Sequence, residues 1–295
     1  MVYLKFIRET VQRNNNVVCM GLDPVMDFIP ARLGYRIDEI IPNFFERLFD
    51  EMSNRYLKPA AFKPNQGFFI KHDIPLQGDF SGSLALSRTI KLCREYFPHT
   101  PVVLDYKRGD IAKSSVNYAK EGFERWVADA VTVSPYMGSD SVIPFLEYTA
   151  KGLGTYVLNR TSNTGGSDLQ DLELQDGRKV YEAVAQKIID WSKEYPGTGA
   201  VAGATQMKEL QALAQMFAPH DIPLLIPGVG SQGGSAAKVM NTLKKAKYDM
   251  GLVRINSSGG LIHPWRKSGH VPENWAAVCA DELEKLIEEC RVDGK

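Results

Sequence analysis

Pro101-Val102-Val103-Leu104-Asp105-Tyr106-Lys107-Arg108-Gly109-Asp110 passes from an apolar, β-branched run straight into charge. A buried parallel strand reads this way where it leaves the sheet and reaches a functional face. Side chains alternate along a strand, so Asp105 and Lys107 share one face and Tyr106 takes the other. Gly109 breaks the strand, and Asp110 lies just past the turn. Two carboxylates and an ammonium therefore gather at one strand end, where an acid beside a lysine keeps both groups charged. A solvated salt-bridge cluster would have the same spacing, so the neighbouring strand ends matter.

Those ends repeat the pattern. Val17-Val18-Cys19-Met20-Gly21-Leu22 reads as the first strand and runs into Asp23-Pro24. Asp23 suits either a turn-initiating acid or a polar group held at a strand end. Ala60-Ala61-Phe62-Lys63-Pro64-Asn65 is a second short strand, with Lys63 where a core side chain is expected. A snorkelling lysine is the other reading. Further strands are predicted at Ala130–Tyr136, Thr155–Arg160, Gly199–Thr205, Pro223–Gly228 and Met250–Asn256. Helices are predicted at Ile37–Met52, Ser83–Tyr96, Lys113–Trp126, Ser141–Tyr148, Val180–Tyr195, Met207–Phe217, Ala236–Lys245 and Trp275–Arg291. About eight strand-then-helix units with short connections call for a parallel sheet. At this length they predict an α/β fold, a (β/α)8 TIM barrel, with its active site at the C-terminal strand ends. No linker, repeat or low-complexity tract divides residues 1–295, so one domain is expected.

Composition narrows the classes. The 295 residues are 44% hydrophobic and balance 35 basic against 35 acidic side chains, which gives no pull towards nucleic acid or membrane. No signal-peptide core or membrane-length apolar run occurs. Cys19, Cys93, Cys279 and Cys290 are scattered with no C-x-x-C pair, as in the reduced thiols of a cytoplasmic protein. The five histidines form no metal-ligand spacing, so no metal is expected. Neither a G-x-S-x-G elbow nor an aromatic stacking platform is present.

Gly228-Val229-Gly230-Ser231-Gln232-Gly233-Gly234 follows the seventh strand and matches G-x-G-x-x-G. A dinucleotide site would need an acid ending the next strand, but Asp249 precedes that strand instead. In a barrel this loop suits phosphate, held by backbone N–H groups that glycine lets approach closely. A plain turn is the alternative.

Asp105-x-Lys107-x-x-Asp110-Ile111, taken with Phe62-Lys63-Pro64-Asn65, resembles the orotidine 5′-phosphate decarboxylase family. Ser134-Pro135-Tyr136-Met137-Gly138, Leu158-Asn159-Arg160-Thr161-Ser162-Asn163 and the Pro227–Gly234 stretch resemble its longer-chain bacterial branch. The matches run in family order from Gly21 to Asn256. The resemblance implies a homodimeric barrel that converts orotidine 5′-phosphate to UMP and CO2, the last step of de novo UMP biosynthesis, without metal or organic cofactor. It implies an alternating array of Lys63, Asp105, Lys107 and Asp110, with Asp110 reaching the neighbouring subunit's site. Asp23 and Lys63 would bind the ribose, and Ser114, at a position usually Thr, would also reach across the dimer. Thr161 and Ser162 would contact the pyrimidine, and Gln232 would lie where base and phosphate meet. Ser134, Pro227, Gly233 and Arg254 complete the expected substrate contacts. The family's phosphate-gripping Arg just after strand eight is replaced here by Gly259, which leaves Arg254, Arg266 and Lys267 as candidate cations. A magnesium-dependent sugar-phosphate decarboxylase or lyase, and a non-catalytic nucleotide-binding barrel, are the competing readings.

Overall fold

The computed structural model describes residues 2–230 and 233–292. It is a (β/α)8 barrel. In chain order the elements are α1 (Val2–Asn14), β1 (Val18–Leu22), α2 (Ile37–Asn54), β2 (Ala61–Pro64), α3 (Gln66–Ile70), α4 (Ser81–Tyr96), β3 (Val103–Arg108), α5 (Ala112–Lys120), β4 (Ala130–Val133), α6 (Ser139–Leu146), β5 (Gly154–Arg160), α7 (Val180–Glu194), β6 (Thr198–Ala202), α8 (Met207–Phe217), β7 (Leu224–Ile226), α9 (Ala236–Lys245), β8 (Val253–Ser257), α10 (Gly259–Ile262) and α11 (Trp275–Glu289). The eight strands are parallel and ordered β2-β1-β8-β7-β6-β5-β4-β3. Between β2 and β3 there are only isolated bridges, Phe62 with Val102 and Asn65 with Asp105. That seam nearly closes the barrel.

Local chemistry sets the elements. β1, β2, β4 and β6 are buried along their whole length, which explains their near-continuous apolar sequence. On α2 the residues Ile41, Phe44, Phe45, Leu48, Phe49 and Met52 form one buried stripe at helical spacing, and Asp38 and Glu39 suit its first turn.

Several expected boundaries move for identifiable reasons. The helix expected over Lys113–Trp126 ends at Lys120 and continues as a π-turn, Glu121–Arg125. There the Glu121 carboxylate takes Arg108 at 3.0 Å, and a Cβ on Gly122 would lie 2.4 Å from the Tyr106 hydroxyl. Met250–Leu252, expected to open the eighth strand, is a 3-10 turn started by Asp249, whose side chain accepts from Gly251 N–H. The unexpected α1 closes the bottom of the barrel through Tyr3, Leu4, Ile7 and Val11.

Arg254 was expected at the substrate, and the structure corrects this. The side chain is fully buried, two residues before Asn256, so it keeps the inward face but lies one layer deeper, roughly 6–7 Å down the strand. Its guanidinium donates to the carbonyls of Val253 at 2.7 Å and of Ile7 at 2.8 Å, and its charge acts on the Tyr3–Tyr156 hydroxyl pair. Arg254 therefore fastens α1 to the barrel floor.

After α10 the chain makes a 3-10 turn, Pro264–Lys267, that packs the rim. His263 is buried at its start, stacked on Phe44 with ring centroids 5.6 Å apart. Its Nε2 accepts from Val25 N–H at 3.1 Å, which fixes the neutral tautomer with the proton on Nδ1. Burial, and then the Arg266 charge, push its pKa down to about 4.

Two outcomes follow. Arg254→Met should lower the unfolding free energy in urea by about 2–4 kcal/mol, because it strands buried carbonyls and removes charged hydrogen bonds; a loss under about 1 kcal/mol would contradict the anchoring role. His263 makes the fold acid-sensitive: the unfolded chain takes its proton below pH ~6.5, but the folded chain only near 4. Stability should therefore fall by about 3 kcal/mol across that window, beyond any loss seen in His263→Gln, which keeps an acceptor for Val25. Parallel pH profiles for the two proteins would remove His263 as the cause.

Candidate active site

A cavity of about 540 Å3 opens at the C-terminal ends of the strands. Every strand reaches its wall: β1 through Asp23 just beyond its end, β2 through Lys63, β3 through Asp105 and Lys107, and β4 through Thr132. Leu158 on β5, Val201 on β6, Leu225 on β7 and Asn256 on β8 complete the circle. This size suits a ligand as large as a nucleotide.

The charged centre is built across the β2–β3 seam. Asp105 is 6% exposed and Lys63 only 3%. Lys63 Nζ donates to Asp105 Oδ2 at 2.7 Å, and Lys107 Nζ donates to Asp105 Oδ1 at 2.5 Å. Burial alone would raise the Asp105 pKa, but the two ammonium groups outweigh it and hold the carboxyl well below the usual range. Burial likewise opposes the Lys63 charge, and Asp105 and then Asp23 override it, holding the ammonium above its ordinary range. Asp23 Oδ1 is buried and meets no partner among the described residues, although it faces the cavity. That carboxylate oxygen is an acceptor awaiting a donor.

Thr132 ties this centre to the backbone. Its hydroxyl accepts from Tyr106 N–H at 3.2 Å and from Lys107 N–H at 3.0 Å, and it donates to Asp105 Oδ1 at 2.9 Å. Lys107 has φ of +44°, a conformation that costs a side-chain-bearing residue about 1–2 kcal/mol. The β3–β4 register shifts between Leu104 and Arg108 at the same point. Tyr106 turns away from the cavity, as alternation requires, and donates to Tyr118 O. Sequence reasoning quoted Thr132 only as part of a strand. A hydroxyl amid Ala130, Val131 and Val133 was the signal for it.

The other expected residues are placed differently. Thr161, Ser162 and Pro227 line the cavity. Their loop is pinned from behind, where Arg160 pairs with Asp171 at 2.9 Å and Gln170 receives Thr161 N–H at 2.9 Å. Asp110, Ser114 and Ser134 are partly buried but stand outside the cavity of their own chain. The Asp110 carboxylate accepts from Ile111 N–H at 2.7 Å. Gly233 is exposed with φ of +88° and bonds to Gly230 in a loop closed by Gly234 N–H to Gly228 O at 3.0 Å. Gln232 lies outside the described residues. Arg254 is on the floor, as described above. Asn65, Asn256 and His263, which the sequence did not single out as site residues, join the wall together with Arg266.

Among the described residues, no three His, Cys, Asp or Glu side chains come together as metal ligands. No helix among them is long and apolar enough to cross a membrane.

Set against known proteins, the chain finds relatives along most of its length. A protein from Ralstonia pickettii (strain 12J) named orotidine 5′-phosphate decarboxylase is 41% identical over 252 residues, 85% of this chain and 86% of that protein. The Leishmania donovani OMP decarboxylase structure superposes with a TM-score of 0.73 at 30% identity, covering 98% of this chain and 99% of its own. The Leishmania donovani UMP synthase matches 96% of this chain with a TM-score of 0.75 and 32% identity, and this chain spans 55% of its length. The profile of the Orotidine 5′-phosphate decarboxylase / HUMPS family matches residues 38–262, from α2 to the end of α10, and it is to this family that the chain belongs.

Proposed function

We propose that this barrel decarboxylates orotidine 5′-phosphate to UMP and CO2, the last step in making UMP, with residues 1–295 acting as one decarboxylase domain. The observation that carries the reading is the Lys63–Asp105–Lys107 chain in the cavity wall. Holding a nucleotide does not require a buried acid between two ammonium groups. Removing a carboxylate from a ring carbon with no electron sink does require fixed charge at the reacting atom.

In this mechanism the C6–carboxylate bond breaks and its electron pair stays on C6. The Lys107 ammonium faces that growing negative charge, stabilises it and passes its proton to C6, leaving UMP and CO2. Asp105 holds the Lys107 ammonium in place before the step and stands where the substrate carboxylate must depart. Lys63 holds Asp105 from the other side and, with Asp23, receives the ribose hydroxyls, which gives the unpartnered Asp23 oxygen a donor. Thr161 and Ser162 meet the pyrimidine, and Gln232 and the Pro227–Gly233 loop meet base and phosphate. Asp110, Ser114 and Ser134 serve a second copy of the chain in a homodimer. Exposed Ile111, Val116, Tyr136 and Met137, each within a few residues of these positions along the chain, support that arrangement, since exposed apolar side chains suit a partner surface. The four buried free thiols fit a cytoplasmic enzyme.

The direct test follows the loss of orotidine 5′-phosphate absorbance in EDTA. Wild type should turn over, and Lys107→Ala should lose about 10²–10⁴-fold in kcat, the usual worth of a positioned acid. Turnover abolished by EDTA would point instead to a metal-assisted sugar-phosphate enzyme. UMP binding without turnover would point to a binding protein. Thr132→Val should lower kcat by about 10–100-fold, the equivalent of one to three kcal/mol of lost hydrogen bonding, with UMP affinity nearly unchanged. An unaltered kcat would show that Lys107 is placed without Thr132.

A further inference from the structure

We propose that the guanidinium that grips the substrate's phosphate in this protein comes from Arg266, in the turn after α10, and that Gly259 is the glycine that makes room for it. This deepens the decarboxylase reading and rests on it.

Three observations meet at one place. First, the cations lining the cavity are Lys63, Lys107 and Arg266, and the two lysines are committed to Asp105. Arg266 is exposed to the mouth, and among the described residues its guanidinium has neither a carboxylate nor a carbonyl partner. Second, Gly228 and Val229 of the glycine-rich loop border the same cavity as Ser258, Gly259 and Arg266, so backbone donors and a free guanidinium face one space. Third, a Cβ built on Gly259 would lie 3.0 Å from Arg266 Nη1, closer than side chains comfortably pack. The guanidinium thus stands directly against Gly259 at the cavity rim.

The last point puts positions 259 and 266 side by side at one place on the rim. A long side chain at 259 would crowd Arg266 and set two like charges together. With glycine at 259, the planar fork of Arg266 is free to meet phosphate oxygens two at a time, the geometry in which arginine outperforms lysine. His263 contributes indirectly: buried against Phe44 and held by Val25 N–H, it anchors the first residue of the turn that carries Arg266.

The test compares UMP with uridine, which lacks the phosphate, by calorimetry on the whole protein. Arg266→Ala should weaken UMP binding about 10–100-fold, the loss expected for a charged hydrogen-bond pair, while uridine affinity stays the same. KM for orotidine 5′-phosphate should rise in step. The double variant Arg266→Ala with Gly259→Arg should recover at least about tenfold of the lost UMP affinity. UMP binding unchanged in Arg266→Ala, or UMP and uridine weakened equally, would overturn the assignment. A double variant no better than Arg266→Ala would overturn the exchange between the two positions. These binding outcomes stand apart from turnover: a wild type that binds UMP through Arg266 yet fails to decarboxylate would sink the enzymatic reading alone.

Discussion

The structure depends on keeping one carboxylate, Asp105, charged inside the barrel. An unpaired buried acid would take up a proton rather than bear the cost of leaving water. Here both oxygens are occupied: Lys63 binds one, and Lys107 and Thr132 share the other. These partners come from three successive strands. Lys63 and Asp105 also face each other across the β2–β3 seam, where backbone pairing is reduced to isolated bridges. The ion pair therefore spans the weakest join of the barrel. Deleting one partner of such a pair typically costs about 3–5 kcal/mol, so the charged centre and the closure of the sheet are secured together.

The same arrangement explains why the strand end is strained. β3 must present Asp105 inward and then bring Lys107 back to the same carboxylate two residues later, a tighter return than an extended strand allows. The left-handed backbone at Lys107 and the shifted β3–β4 register make the return, and the Thr132 hydroxyl holds both amides of the bend. Strain of this kind persists where neighbouring contacts over-determine the conformation, and it is concentrated at functional positions.

Much of this was legible in residue order. Alternation placed Asp105 and Lys107 together and Tyr106 apart, because strand geometry is local. The helix Met207–Phe217 is found as expected, since its apolar spacing needs no tertiary information. What escaped was set by three-dimensional packing. α1 was not anticipated because its burial depends on the barrel floor that it covers. Proximity to the end of the eighth strand made Arg254 a candidate cation, but residue order could not give its depth, and depth separates a floor anchor from a substrate contact. Asp110 and Ser114 stand outside the cavity of their own chain, a placement that residue order alone does not reveal.

The two ends of the cavity also differ in how they tolerate change. In the proposed reaction a single ring carbon at the Asp105 end receives a single proton, so the ammonium has one productive position and the protein fixes it with a strained bend, a buried acid and a hydroxyl. At the glycine-rich end, the charge to be held is spread over the oxygens of a phosphate, which backbone N–H groups and a flexible arginine approach from several directions. In the proposed assignment, a guanidinium at position 266 serves the phosphate from beside position 259, because its long side chain absorbs the displacement. No comparable move is open to Lys107. Substitution at a rim position such as Gly259, at the start of α10, is thus compatible with intact chemistry, whereas the spacing Asp105-x-Lys107 is held by the geometry of the strand itself.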